Sequence, residues 1–177
     1  MKDSIKKIVV IGPECTGKSE LSNFLANHYK TEWVPEYARS YLDNLARPYN
    51  HSDLLSIARG QLRLEDKSAI SANRLLICDT DVLATKIWYE RYLQMPAPWI
   101  PIAPSRIALY VVPFPDTPYV QDEIRDAEHL RFWMYERFVE EIEKLGVPHV
   151  VLQGTFDERY EQAIAAIDAL DESEREA

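Results

Sequence analysis

The stretch "IVVIGPECTGKSELSNFL", residues 8–25, decides the fold. An apolar run stops at Gly12, a short polar loop follows, and Gly17-Lys18-Ser19 opens a pattern with helical spacing. The loop matches G-x-x-x-x-G-K-[ST] in the context that gives the motif meaning, a strand before it and a helix after it. Glycines let successive backbone N–H groups curl inward, and a helix N-terminus adds partial positive charge. A lysine then reaches the outer phosphates and a hydroxyl can ligate magnesium. Such a match should arise by chance in on the order of one chain in a hundred of this length, before the flanking strand and helix are required. We therefore read Gly12, Glu14, Cys15, Thr16, Gly17, Lys18, Ser19 and Glu20 as the contact set for ATP and its Mg2+. The Cys15 side chain is not needed for that task.

Outward from the loop, strands and helices alternate. Apolar strands are expected near residues 7–12, 32–35, 74–80, 106–112 and 149–153, and helices over 18–29, 52–73, 82–94, 129–145 and 156–170. In the helix over 52–73, Leu54, Leu55, Ala58, Leu62 and Ala69 share a face, and Ser52 or Asp53 is available as its N-cap. Gly146 is placed to close the helix before it. Continuous rather than alternating hydrophobicity in the strands points to a mostly parallel sheet covered on both faces. Two loops break the rhythm, 95–105 and 114–128, and are where binding chemistry or moving parts are expected.

The 177 residues suit one domain, expected over 1–170, with the acidic segment 171–177 as a solvated, frayed end. A net charge of −9 disfavours broad binding to nucleic acid or anionic membranes. Two distant cysteines without CxxC spacing, and no secretory or membrane segment, suggest a reduced cytoplasmic protein.

Asp79 ends the run "LLICD" at residues 75–79, where a strand-end acid supports the metal of a bound triphosphate, although an acid there also suits a helix cap. Asp81 is the simpler cap. Glu36, after the second strand, sits on the strand-end side where ligands of open α/β folds bind, and could take a proton from an attacking hydroxyl. An exposed loop acid is the plain alternative. Arg39 could grip the acceptor or a phosphate, or form a surface ion pair. Arg125 and Arg131 lie in a polar segment that can fold over a triphosphate and bring guanidinium groups to the transferred phosphate, or that simply starts a salt-bridged helix. Trp88, Tyr89, Tyr92, Trp133, Tyr135 and Phe138 have the spacing of helix packing rather than of a stacking platform. "GTFDER", 154–159, is a weak candidate for an adenine loop.

Several motifs in fixed order, "GPECTGKSEL", "VPEYARSYL", "IARGQ", "LLICDTDVLATKIW" and "PDTPYVQDEIRD" with Arg131 beyond, resemble the ribosylnicotinamide kinase domain of NadR-type proteins, a P-loop ATPase group. The likeness covers about residues 7–165. It implies a P-loop NTPase fold like that of nucleoside and nucleotide kinases: a three-layer αβα sandwich around a five-stranded parallel sheet in the order 2-3-1-4-5. It also implies transfer of the ATP γ-phosphate to the ribose 5′-hydroxyl of nicotinamide riboside, a step of NAD biosynthesis. By motif position, Lys18, Glu36, Arg125 and Arg131 are then catalytic, and Ser19 and Asp79 hold the metal. Glu36, Tyr37, Arg39, Asp81, Tyr119 and Asp122 lie toward the nucleoside. Tyr119 and Glu123 stand where the family carries tryptophan and glycine, and Pro35 where some members stack a tryptophan on the nicotinamide. A kinase for another nucleoside or nucleoside monophosphate, and an ATP-driven switch or slow ATPase, are the alternative functions.

Overall fold

The structure, a computed structural model, describes residues 5–97, 100, 102–119 and 128–175. The strands are β1 (Lys6–Val10), β2 (Glu32–Val34), β3 (Leu75–Asp79), β4 (Ile107–Pro113) and β5 (His149–Leu152). All neighbours pair in parallel, in the order β2-β3-β1-β4-β5. That is the expected order. Strand limits differ from the sequence reading by one or two residues; β2, for example, stops at Val34 before Pro35, which has no amide hydrogen to give a ladder.

The helices are α1 (Lys18–Tyr29), α2 (Tyr37–Asp43), α3 (His51–Ala69), α4 (Val82–Leu93), α5 (Arg131–Leu145) and α6 (Phe156–Arg175). They cover both faces of the sheet, and the apolar strands divide between them with the period of two that a strand imposes. Ile8, Val10, Leu75, Ile77, Leu109 and Val111 pack with Leu21 and Leu25 of α1 and Ala163 and Ile167 of α6. Val9, Cys78, Tyr110 and Val112 pack on the other face with Leu83 and Ile87 of α4 and Met134, Phe138 and Ile142 of α5. Each of these leucines or isoleucines, being fully buried, contributes about 1.5–3 kcal/mol of hydrophobic stabilisation.

A third cluster lies off the sheet. Leu54, Ile57 and Ala58 of α3 meet Val82 and Tyr89 of α4, with Ala97 and Ile100 packed against them. Ala97 and Ile100 of the proline-rich loop 95–105 thus help to fill the joint between two helices. The cap of α3 also differs. Asn50, not Ser52 or Asp53, is the N-cap: its side chain accepts from Ser52 N at 2.9 Å, while Asp53 accepts from Asn50 N at 2.7 Å and closes a capping box. Asp53 further binds Arg47 at 2.8 Å and Tyr41 Oη at 2.8 Å, tying the α2–α3 connection down.

Gly146 closes α5 in the left-handed region at φ 67°, as expected. Helix α6 continues past residue 170 into the acidic segment read as a frayed end. Among the described residues no helix is long and apolar enough to cross a membrane.

Candidate active site

β1 delivers the chain to the loop, and Ile11 N is still bonded to Val111 O of β4 at 2.9 Å. The loop then closes on itself: Thr16 Oγ1 donates to Pro13 O at 2.9 Å and Lys18 Nζ to the same oxygen at 2.8 Å. Cys15 takes φ 55° and Gly17 φ 79°. Gly17 is needed twice over, since an added Cβ would also lie 2.6 Å from Cε1 of Phe156. No side chain caps α1 at Gly17, so the first amides of the helix are left for another acceptor. This geometry suits phosphate oxygens.

Glu20 is exposed and faces Tyr160 of α6, where burial of the ring and then the Glu20 carboxylate raise the hydroxyl above its ordinary range.

β3 ends beside the loop, and Thr80 N donates to Val10 O at 2.8 Å. Asp79 is 2% exposed, and its Oδ1 has no hydrogen-bond partner. An orphaned buried carboxylate oxygen is costly unless something else satisfies it, and the hydrated shell of a magnesium ion would do so. Ser19 and Asp79 therefore fit a Mg2+ ion. Thr80, a β-branched residue, adopts φ 69°, a conformation that costs energy and that folded proteins concentrate at working sites.

Asp81 lines the cavity beside the loop and also caps α4. Its Oδ1 accepts from Leu83 N at 2.9 Å, capping α4, and its Oδ2 accepts from Tyr110 Oη at 2.9 Å with Lys7 Nζ 3.7 Å away. The carboxylate borders the acceptor side but is committed to the fold. Burial and the Asp81 charge push the Tyr110 hydroxyl well above its ordinary range, so it stays a donor.

A cavity of about 190 Å³ opens next to the loop. Glu14 and Cys15 border it on the phosphate side, Glu36 and Arg39 on the α2 side, and Thr80 and Asp81 at the end of β3. Three aromatic side chains also line it, Trp88 and Tyr92 of α4 and Tyr49, whose ring lies 5.6 Å from that of Tyr92, beside aliphatic residues such as Leu42, Leu54 and Ile57. Trp88 packs against the core as the spacing predicts and also lines the cavity, and Tyr92 lines it with its ring largely exposed. Phe138 and Tyr135 do pack in or against the core.

Tyr37 does not line the cavity. Its ring lies over Gly60 of α3, so close that a Cβ there would meet it at 2.0 Å, and its backbone N donates to Gln61 Oε1 at 2.9 Å. The glycine of "IARGQ" is thus the seat of an aromatic ring.

Arg131 reaches the phosphate loop. It is 7% exposed, donates from Nη1 to Thr117 O at 2.9 Å and from Nη2 to Cys15 O at 3.4 Å, and stacks over the Tyr119 ring at 5.7 Å. Its Nε has no partner. Tyr119 Oη lies 3.5 Å from Glu14 Oε2, which joins the segment after β4 to the phosphate loop. Asp122 and Arg125 lie outside the described residues.

Arg159 was missed. The last residue of "GTFDER" is 1% exposed and donates to Gly154 O at 2.9 Å, Phe114 O at 3.2 Å and Thr16 O at 3.4 Å, and pairs with Asp116. It locks the phosphate loop to the exits of β4 and β5. No local pattern announces this, since its partners are up to 143 positions away.

Comparison with known proteins agrees with this fold. The family model described as AAA domain matches residues 7–159. The trifunctional NAD biosynthesis/regulator protein NadR of Escherichia coli (strain K12) is 31% identical over 129 residues, which are 68% of this chain and 31% of that protein. The crystal structure of a NadR protein in complex with NR superposes with a TM-score of 0.80 at 26% identity, over 94% of this chain and 52% of that one. A thymidylate kinase from Ehrlichia chaffeensis shares the fold, with a TM-score of 0.66 at 15% identity over 94% of this chain and 99% of that one. The chain thus spans about a third of the curated relative and about half of the NadR structure. It belongs to the AAA domain family, as a P-loop homologue of NadR with a nucleoside-kinase-like fold.

Proposed function

We propose that the protein is an ATP- and Mg2+-dependent kinase that phosphorylates the ribose 5′-hydroxyl of nicotinamide riboside to give nicotinamide mononucleotide. The observation that carries this reading is the second compartment. A protein that only bound or hydrolysed ATP needs the phosphate loop, whereas this chain adds an aromatic-walled cavity bordered by Glu14, Cys15, Glu36 and Arg39. The flat rings of Tyr49, Trp88 and Tyr92 suit a nucleoside base, and a cationic pyridinium gains further from an electron-rich aromatic face. The NadR structure in complex with NR supports this acceptor.

In this reading Glu36 takes the proton of the 5′-hydroxyl as its oxygen bonds to the γ-phosphorus, and the bond from that phosphorus to the β-γ bridging oxygen breaks to leave ADP. Lys18 and the open amides of α1 hold the phosphates and meet the charge that develops on them. Arg131, tied to Cys15 O and Thr117, places a guanidinium beside the loop. Ser19 and Asp79 would hold Mg2+, which supplies charge neutralisation on the phosphate oxygens.

The test is ADP release from Mg-ATP across a panel of nucleosides and nucleoside monophosphates, with an acceptor-free control. Strong stimulation by nicotinamide riboside, with the mononucleotide as product, is expected. Stimulation by a different acceptor reassigns the substrate, and a slow rate indifferent to every acceptor overturns the kinase in favour of an ATP-driven switch.

A further inference from the structure

Helix α4 follows "CDTD", residues 78–81, and one side of it can be traced along the cavity. Asp81, Ala84, Thr85, Trp88 and Tyr92 all line that cavity, with the three- and four-residue steps of a single helix face. The face changes character along its length. It begins with a carboxylate and a hydroxyl and ends in aromatic rings. Its polar end lies beside the phosphate loop, since Thr80 N is bonded to Val10 O of β1, and its far end meets Tyr49.

Asp81 is the N-cap of α4, so Thr80 and Thr85 hold the N′ and N4 places. Side chains at those two places meet across a helix start, and an apolar pair often fills them. Here both are threonines. Thr80 is 6% and Thr85 7% exposed, and both line the cavity. A hydroxyl within a helix can return to the carbonyl four residues back, as Ser56 does to Ser52 O at 3.1 Å. Thr85 does not, and among the described residues neither threonine hydroxyl has a hydrogen-bond partner. A buried hydroxyl left unpaired costs free energy that a valine of the same shape would avoid. Thr80 adds to that cost by holding a β-branched side chain at φ 69°. Costs of this kind at both places of one helix start, in the wall of one cavity, point to a ligand that offsets them.

We propose that Thr80 and Thr85 form the subsite for the 2′- and 3′-hydroxyls of the acceptor's ribose and so make the site selective for ribonucleosides over deoxyribonucleosides. The inference rests on the kinase reading and deepens it. In any nucleoside the sugar lies between the 5′-hydroxyl and the base. With the 5′-hydroxyl at the phosphate loop and the base against Tyr49, Trp88 and Tyr92, the sugar falls beside the first turn of α4. Each threonine hydroxyl can donate one hydrogen bond and accept another, which matches a sugar hydroxyl in either orientation. An acceptor lacking one of those hydroxyls leaves a threonine unpaired again, and a polar subsite discriminates against such a mismatch.

Thr80→Val and Thr85→Val each remove one hydroxyl and keep the branched shape, whereas Thr85→Ser keeps the hydroxyl. The acceptors are nicotinamide riboside and its 2′-deoxy and 3′-deoxy forms. For each, kcat and KM are measured on the full chain, beside calorimetric affinities for the riboside and for Mg-ATP and the urea midpoint without ligand.

Wild type should prefer the riboside to each deoxy form by at least about tenfold in kcat/KM. Each valine variant should lose about 3–10-fold with the riboside, as for one neutral hydrogen bond. It should lose less than about twofold with the deoxy form that lacks its partner hydroxyl. Mg-ATP affinity should hold within about twofold, and Thr85→Ser should stay within about threefold of wild type in kcat/KM. Without ligand the valine variants should be at least as stable as wild type, because no bond of the fold is removed.

Equal losses on all three acceptors overturn the proposal, as does unchanged activity in either valine variant or a wild type that uses the deoxy forms as well as the riboside. A lowered urea midpoint would mark the threonines as structural and overturns it too. Binding separates this failure from that of the kinase reading. Protein that binds the riboside, and binds it more weakly as either valine variant, yet releases no ADP sinks the transfer and leaves the subsite standing. Protein that neither binds the riboside nor is stimulated by it sinks both.

Discussion

Lys18 and Glu36 carry different halves of the proposed transfer, and substitution should separate them. Lys18 lies in the closed loop, with its Nζ on Pro13 O, where it stands to meet phosphate charge. Lys18→Ala should lower kcat by about 10²–10³-fold, or roughly 3–4 kcal/mol of transition-state stabilisation. Near-normal turnover would refute the assignment of the cradle. Glu36→Gln should instead leave the affinity for Mg-ATP unchanged and lower kcat by about 10²–10⁴-fold, the range of general-base catalysis. Calorimetry beside steady-state kinetics distinguishes them, and a matching loss of ATP affinity in Glu36→Gln would make that residue structural. Single residues were legible wherever chemistry is local. The cradle could be named from eight consecutive positions, whereas Gln61 and Arg159 could not, because their partners are fixed only when distant segments meet.

At the scale of elements, α2 and α3 are joined by an aromatic ring seated on a glycine. Replacing an interior helical glycine by alanine ordinarily gains about 1 kcal/mol from helix propensity. Gly60 should behave in the opposite sense, since the new methyl would lie 2.0 Å from Tyr37 Cε1 while the Tyr37 backbone is pinned by Gln61. Gly60→Ala should lose about 1–3 kcal/mol to overpacking. Urea unfolding of Gly60→Ala alone and in a Tyr37→Ala background checks this. The substitution should turn stabilising once the ring is gone, and additive effects would deny the contact. Helix and strand positions were mostly legible, because each apolar run has the period of its own element. The cap of α3 was misplaced by two or three residues, since Asn50, Ser52 and Asp53 all have capping side chains and only the backbone turn selects among them.

For the whole molecule, acid stability has an identifiable contributor. The Arg47 guanidinium, the Asn50 amide and the Tyr41 hydroxyl hold the Asp53 carboxyl well below the usual carboxylate range. A depressed native pKa means that the unfolded chain binds the proton more readily. The stabilisation is therefore complete above the ordinary Asp pKa of about 3.9 and is lost as pH falls from there toward the depressed native value. Asp53→Asn should be less stable than the wild type near neutral pH, and the gap in urea midpoint should narrow as pH falls below about 4. A gap independent of pH would show that the carboxylate charge contributes nothing and that only the capping geometry matters. This contact matters beyond its own helix, because Asp53, Arg47 and Tyr41 fix the connection that carries Tyr49 to the cavity mouth.

By itself the sequence determined the parallel sheet, its two helical layers and the phosphate loop, since each depends on residue order over a short span: a continuous apolar strand, a period of 3.6, glycines where φ must be positive. Motif order also indicated the order of the strands. Only the tertiary structure decided what surrounds the loop. It made Asp81 a helix cap as well as cavity lining, gave Tyr37 a glycine seat, and set Trp88 and Tyr92 in the cavity wall. It buried Arg159 among three loop carbonyls and left Asp79 Oδ1 without a hydrogen-bond partner. The physical reason is the same in each case. A side chain's role is set by which groups compete for it, and those competitors arrive from segments that the local pattern does not connect.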